Sequence, residues 1–210
     1  MAQSTAAAAH SLEVIRCLIV DDHPAIRVGL RELLSVEADL EVAAACASAE
    51  EALAFAEDAA HDGRPLDVAI VDYQLGGHSG LWLSRRLRAL PDPPRVLVYS
   101  AFSDHLLAAA AVVAEASAVV SKTALPDELA ATVRALAGGA HPLPSVPPTL
   151  AESIGRRLDP VEQAIFGLMA AGVSPEEAAE TLRLDPRAFD TRLWTMLRSL
   201  ERRGGDGSGA

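Results

Sequence analysis

The 210-residue chain is poor in cysteine and in aromatic side chains, and it has no long apolar run. Its two cysteines, Cys17 and Cys46, lie in predicted strands without a zinc-binding spacing, which favours reduced core thiols. No apolar run approaches the roughly 20 residues of a membrane span, and the alanine-rich start lacks the basic segment of a signal peptide. We therefore expect a soluble, cytoplasmic protein.

Lysine is scarcer still. The net charge is −11, which argues against a protein whose whole surface binds nucleic acid and leaves room for a small basic surface. Among the 18 basic residues, Lys122 is the one lysine. Arginine and lysine are not interchangeable where a compact charge must approach a small anion, so the position of Lys122 is informative.

Short apolar runs end on polar side chains at several points along the chain, most clearly over residues 66–72. Runs of this kind are typical of buried parallel strands, whose carboxyl ends carry functional side chains at one edge of the sheet. The polar residues at these strand ends are Asp21, Asp22, Asp72, Ser100 and Lys122. We therefore expect three carboxylates, a hydroxyl and an ammonium group to lie together.

Strand and helix patterns alternate over residues 14–139. Pro24 and Pro126 mark helix starts, and the capping-box sequence over 48–51 marks another. Five strands that alternate with five helices predict an α/β fold, in which a five-stranded parallel, doubly wound sheet is covered by helices on both faces.

Composition divides the chain into five parts. We predict a disordered tail over 1–12, the α/β domain over 13–139, and a proline-rich linker with a short helix over 140–157. Residues 158–203 have helix-start signals at regular intervals and a very short turn before the last helix, which predicts a small all-α helix-turn-helix domain. A flexible tail over 204–210 completes the chain.

The expected acidic cluster has the chemistry of a magnesium site, because Mg²⁺ takes one or two carboxylates together with phosphate and water oxygens. A carboxylate beside the metal can attack phosphorus, since the ion neutralises charge on the phosphoryl oxygens. Lys122 would pair with the transferred phosphoryl group, and the Ser100 hydroxyl would donate a hydrogen bond to it. The alternative is that these carboxylates are solvated loop residues that happen to follow strands.

With Gly80 eight residues after Asp72, this set of residues resembles the receiver domain of two-component response regulators. The resemblance covers residues 14–139 and implies a flavodoxin-like sheet. It also implies that Asp72 is the phosphoacceptor and takes its phosphoryl group from a phosphohistidine on a sensor histidine kinase. The domain would support this transfer onto itself without being a classical enzyme. The implied Mg²⁺ ligands are Asp21, Asp22, Asp72 and the backbone carbonyl of Gln74.

The chain departs from the family pattern at two positions. Gly76 stands where the family usually has a proline, and Val119 stands where it usually has an aromatic residue. In the family that aromatic ring swings inward when the serine or threonine moves onto the phosphoryl group. Val119 has no ring, so we expect the usual switching mechanism to be affected.

The all-α domain resembles the LuxR-type helix-turn-helix of the NarL subfamily, which implies a homodimer that binds DNA and regulates transcription. The family's third helix carries a motif like Thr-Val-Lys-x-His, whereas this chain has Asp190 at the lysine position, where a carboxylate repels phosphate. The last helix still has net charge +3 over 186–203. The residues expected to contact DNA are Arg187, Thr191, Arg192 and Arg198.

The sequence allows two other functions to be considered. The altered third helix would bind a protein partner instead of DNA, with its arginines on the solvent side of an amphipathic helix. A phosphatase with an aspartyl intermediate is disfavoured, because that chemistry usually needs a second aspartate where this chain has Gln74.

Overall fold

The structure, a computed structural model, describes residues 14–101, 105–143 and 146–204. The tail predicted over 1–12, and all but the first residue of the tail predicted over 204–210, lie outside these residues. Within them, every helix is too short or too polar to cross a membrane.

Five strands and five helices alternate in the first part of the chain. In chain order they are β1 (Ile15–Val20), α1 (Pro24–Ser35), β2 (Leu40–Cys46), α2 (Ala49–His61), β3 (Val68–Asp72), α3 (Gly80–Arg88), β4 (Arg95–Ser100), α4 (His105–Val113), β5 (Ala118–Ser121) and α5 (Pro126–Ala137). All strand pairs are parallel, in the order β2-β1-β3-β4-β5. The predicted doubly wound parallel sheet is therefore confirmed.

The apolar pattern of the strands explains this arrangement. Every residue of β3 is buried, because the strand lies in the middle of the sheet with helices on both faces. One face packs on α1 and α5, and the other packs on α2 and α3. The winding direction reverses between β1 and β3, so the loops that follow these two strands leave a crevice at the carboxyl edge of the sheet.

The two cysteines lie on opposite faces of the sheet. Cys17 belongs to the core beneath α1 and α5, and Cys46 belongs to the core beneath α2 and α3. Both thiols are free, as predicted. Burial raises the pKa of Cys17 to about 12 and that of Cys46 to about 11, so both thiols stay protonated and unreactive at neutral pH.

Four helices lie in the part of the chain that the structure describes over residues 146–204. They are α6 (Pro148–Gly155), α7 (Pro160–Ala170), α8 (Pro175–Thr181) and α9 (Pro186–Gly204). Each begins with a proline, which suits the first helical turn because its missing N–H would have no partner there. Asp159 and Ser174 cap α7 and α8 with complete capping boxes. A short turn then joins α8 to α9, with Arg183 at a positive φ of 53°.

The two parts of the chain share one hydrophobic core. Helix α4 packs against both α7 and α9. Its small buried side chains, among them Ala109, Ala110 and Ala111, lie in one cluster with Phe166 of α7 and Leu197 of α9. Alanine side chains are small and let helix backbones approach closely. Helix α4 can therefore pack tightly against the sheet on one side and against the helical domain on the other. The linker prediction did not include this packing.

Candidate functional site

The carboxyl edge of the sheet carries the polar residues that the sequence singles out. Asp21 follows β1, Asp72 and Ser100 end β3 and β4, and Lys122 follows β5. Asp21, Asp72 and Ser100 are almost fully buried, with exposed fractions of 1%, 4% and 1%. Buried carboxylates are costly unless they are paired or bind a metal, so their partners decide what the site can do.

Lys122 joins the two buried carboxylates. Its Nζ atom lies 2.7 Å from Oδ2 of Asp21 and 3.0 Å from Oδ2 of Asp72. The ring of Tyr99 lies beneath the ammonium group, with its centroid 5.9 Å from Nζ. The single lysine of the chain is therefore held by two negative charges, one directly after β1 and one at the end of β3.

Burial raises the pKa of Asp72, and the negative charge of Asp21 raises it further. The hydrogen bonds from Lys122 and from the backbone N–H of Gln74 act in the opposite direction without cancelling the rise. For Lys122, burial lowers the pKa, but the hydrogen bonds to Asp21 and Asp72 outweigh it and the net shift is upward. The ammonium form of Lys122 is thus stabilised beside the two carboxylates.

Four side chains form a cluster with metal-ligating geometry. Asp21, Asp22, His23 and Asp72 each offer one ligand atom, and these atoms lie within 4.8 Å of one another. Oδ1 of Asp22 is buried and accepts no hydrogen bond from a described residue, although Nδ1 of His23 lies 2.6 Å away. A buried oxygen that lacks a well-formed hydrogen bond, beside two other carboxylates, fits the oxygen ligands that Mg²⁺ prefers.

A cavity of about 270 Å³ opens beside this cluster. Asp72, Ser100 and Lys122 line it together with His23 and Gln74. A small anion in this cavity would meet the ammonium group of Lys122 and the hydroxyl of Ser100. The structure thus brings Asp21, Asp22, Asp72, Ser100 and Lys122 to one place. It adds His23, which the sequence reasoning missed although its position directly after Asp22 was a usable signal.

Gly80 fixes the loop that follows Asp72. The N–H of Gly80 donates to the carbonyl of Tyr73 at 3.0 Å. A Cβ atom at this position would overlap the backbone carbonyl of Asp72, so no larger residue fits without a backbone shift. Ser79 then caps α3 by accepting a hydrogen bond from the N–H of Trp82. The glycine therefore sets the path of the chain from β3 into α3.

The residues expected to contact DNA are all exposed on α9, and Arg187, Thr191 and Arg198 fall on one face of the helix. Arg187 is exposed at the start of α9, whereas Arg192 forms an ion pair with Asp159 at 2.8 Å. Thr191 and Arg198 line clefts that Trp82 of α3 also lines. In this arrangement, therefore, helix α3 of the sheet domain stands beside part of the predicted DNA-contacting surface.

An ion-pair network connects the two domains at the same place. Arg85 of α3 lies 2.9 Å from Glu115 and 3.6 Å from Asp190 of α9. Its guanidinium group also lies 5.9 Å from the ring centroid of Trp194. The sequence showed Asp190 as an anomaly, but it gave no sign that Arg85 would be its partner.

Comparison with known proteins places this geometry in a family. The family model described as the response regulator receiver domain matches residues 17–134. The transcriptional regulatory protein UhpA of Salmonella typhimurium is 32% identical over 188 residues, which cover 89% of this chain and 92% of UhpA. The chain therefore belongs to the response regulator receiver family. It is a two-component response regulator of the NarL/LuxR type.

Solved structures agree with this assignment. A two-component response regulator of the LuxR family from Aurantimonas sp. SI85-9A1 is 28% identical with a TM-score of 0.57, covering 67% of this chain and 97% of that chain. The response regulator RcsB, solved in complex with DNA, is 20% identical with a TM-score of 0.56 and covers 89% of this chain and 92% of its own. The likeness to RcsB shows a shared fold.

Proposed function

We propose that Asp72 accepts a phosphoryl group from a sensor histidine kinase and that this event controls a DNA-binding helix-turn-helix formed by α8 and α9. The chain is a two-component transcription regulator, and UhpA, which it resembles along most of its length, is named a transcriptional regulatory protein. One observation carries the phosphoacceptor role. Asp72 lies at a sheet edge with Lys122 at 3.0 Å, beside a small cavity that Ser100 also lines.

The chemistry follows from these positions. A carboxylate oxygen of Asp72 attacks the phosphorus of a phosphohistidine, and the P–N bond breaks with its electron pair passing to the imidazole nitrogen. Lys122 pairs with the new phosphoryl oxygens, and the hydroxyl of Ser100 donates a hydrogen bond to one of them. Both groups already line the cavity, so they need little rearrangement.

Mg²⁺ is the cofactor that we propose for this site. The ligands would be the carboxylates of Asp21, Asp22 and Asp72 together with the backbone carbonyl of Gln74. When bound, the ion would neutralise charge on the phosphoryl group. The support comes from the clustered ligand atoms and from the buried oxygen of Asp22 that accepts no hydrogen bond from a described residue.

Intact mass after incubation with acetyl phosphate and Mg²⁺ tests the phosphoacceptor. The wild-type chain should gain one phosphoryl adduct, and Asp72→Asn should gain none, because an amide oxygen is a poor nucleophile. Asp58→Asn on the exposed surface of α2 is the matched control and should be labelled like the wild type. Chelation of Mg²⁺ should abolish labelling of the wild type and of Asp58→Asn. An adduct on Asp72→Asn would disprove the assignment.

We propose further that the output domain binds DNA as a homodimer, with one α9 in each half-site about one helical turn apart. The helix keeps its net positive charge over 186–203 within an acidic chain. DNA affinity should therefore fall steeply with salt, because bound arginines release counterions from phosphates. Fluorescence anisotropy of labelled DNA across a salt series measures this slope.

A protein-binding output is the second candidate, and one observation favours it. Asp190 of α9 lies 3.6 Å from Arg85 of α3, so the carboxylate that would repel phosphate already has a protein partner. If α9 binds a protein surface instead of DNA, the affinity for that protein should depend only weakly on salt. No DNA binding should then be seen at any salt concentration tested. The anisotropy series thus separates the two functions.

A further inference from the structure

A second, larger cavity lies between the two domains. It has a volume of about 560 Å³ and runs between the segment that joins β3 to α3 and the helix α9. An adjoining cleft of about 340 Å³ shares three of its walls, namely Trp82, Trp194 and Arg198. A cavity of this size suits a small organic molecule. It shares Gln74 with the smaller cavity, but Asp72, Ser100 and Lys122 do not line it.

Aromatic rings are concentrated in this cleft. The chain has two tryptophans in all, and both line it. Their ring centroids lie 6.3 Å apart, at an interplanar angle of 45°. His78 stacks on Trp82 with a centroid distance of 3.9 Å, and Tyr73 adds a further ring to the lining. In a chain with only 4% aromatic residues, this concentration marks the cleft as a surface for flat, apolar groups.

The charge of the cleft is opposite to that of the chain. No described aspartate or glutamate lines it, although the chain has 29 acidic residues. Arg198 projects into the cleft and makes no ion pair with a described side chain. The hydroxyl of Ser79 accepts a hydrogen bond from the N–H of Trp82 and keeps its own proton for donation. A guanidinium group and a hydroxyl beside aromatic walls suit a carboxylate carried on a ring.

We propose that this cleft binds a small planar aromatic carboxylate, whose ring lies against Trp82 and Trp194 and whose carboxylate pairs with Arg198. Because the walls come from both domains, such a ligand binds only when α9 stands beside α3. Binding therefore favours this domain arrangement over any arrangement in which α9 has moved away. The ligand is thus a candidate effector that acts through the arrangement of the two domains.

The probe for this proposal is 2-naphthoate, titrated into the full chain. Since both tryptophans of the chain line the cleft, intrinsic tryptophan fluorescence reports on this site alone. We expect saturable quenching with a Kd of about 1 mM or tighter, after correction with free N-acetyltryptophanamide. Isothermal titration calorimetry should give one site per chain.

Two related compounds test which parts of the ligand matter. Naphthalene-2-methanol keeps the ring without the charge, and cyclohexanecarboxylate keeps the charge without the aromatic ring. Each should bind at least about tenfold more weakly than 2-naphthoate, because each loses one of the two recognition elements. Equal binding of either compound would overturn the proposal.

Variants identify the site. Arg198→Gln should weaken 2-naphthoate binding about tenfold, the effect of one lost charge-assisted pair. Arg156→Gln removes an equivalent charge from an exposed position outside the cleft and should bind like the wild type. Trp82→Leu should reduce affinity in calorimetry, with circular dichroism as the check that it folds. The absence of saturable binding to the wild type, or equal affinity of the two arginine variants, would overturn the proposal. Neither result depends on phosphorylation or on DNA binding.

Discussion

Gly80 shows how much one residue contributes to the position of the phosphoacceptor. The chain must pass from β3 into α3 so closely that the backbone of residue 80 lies against the carbonyl of Asp72. Gly80 was predicted to matter as part of the family resemblance, but the physical reason for a glycine at this position is visible only in three dimensions. A glycine eight residues from the aspartate does not reveal which backbone atom it touches.

Gly80→Ala should destabilise the fold and weaken phosphorylation. The new Cβ would overlap backbone atoms, which cannot rotate away, so we expect a loss of about 1–3 kcal/mol in the free energy of unfolding. Gly77→Ala is the matched control, because its Cβ would meet only Oε1 of Glu50 at 3.7 Å. Urea denaturation measures both variants, and acetyl phosphate labelling measures the site. Equal stability of the two variants would contradict this role for Gly80.

At the scale of elements, the residue that caps α7 also links this helix to α9. Asp159 caps α7 by accepting hydrogen bonds from the N–H groups of Val161 and Glu162 at 2.9 Å each. Its other oxygen pairs with Arg192 of α9 at 2.8 Å. One side chain thus begins one helix and joins it to another.

Asp159→Ala should lower the midpoint of thermal unfolding, because it loses both the N-cap and the ion pair with Arg192. Asp159→Asn keeps an oxygen for the cap and loses only the ion pair, so it should lower the midpoint less, because exposed pairs contribute little. Thermal unfolding of the three proteins measures the difference. Equal losses in both variants would show that the ion pair, not the cap, carries the effect.

The same cap predicts a pH dependence. The hydrogen bond from the backbone N–H of Glu162 is the main reason why the pKa of Asp159 lies below its usual value. An acid with a depressed folded pKa stabilises the fold above its unfolded pKa, and that stabilisation is lost as the pH falls through the folded value. Stability measured from pH 6 downward should therefore fall more in the wild type than in Asp159→Asn, which cannot titrate at this position.

These caps were predictable because their information is local. Ser48, Asp159 and Ser174 precede their helices by fixed spacings, and all three accept the expected hydrogen bonds. The parallel sheet was predictable for a related reason, since short apolar strands that alternate with amphipathic helices leave few topologies. The Arg85 and Asp190 pair was not predictable. The two residues are far apart in the sequence, and no periodic pattern relates helices of different domains.

At the scale of the whole molecule, the arrangement of the two domains places α3 and α4 beside α9. Arg85 and Trp82 of helix α3 face α9, and helix α4 packs against the buried side of α9. Thr191 and Arg198 are both exposed, but they line clefts that Trp82 also lines, so DNA that reached them would also meet α3. Asp190 pairs with Arg85 in this arrangement and would repel a phosphate that approached α9.

Asp190→Lys should strengthen DNA binding, since it removes the attraction to Arg85 and adds a cation for a phosphate. If the new lysine contacts phosphate, the slope of log affinity against log salt should steepen by about 0.9. Asp190→Asn is the control that removes the pair without adding a cation, and its salt slope should match the wild type. Anisotropy across a salt series measures both. An unchanged slope in Asp190→Lys would favour the protein-binding output.

Helix α4 has a consequence for solution behaviour. After His105 its sequence contains only leucine, alanine and valine, and the helical domain covers the face that the sheet leaves open. If the helical domain dissociated from α4, an apolar strip of this helix would be exposed to water. Such a strip lowers solubility until something covers it, so the opened form should be more populated in concentrated solution, where a second molecule is near, than in dilute solution.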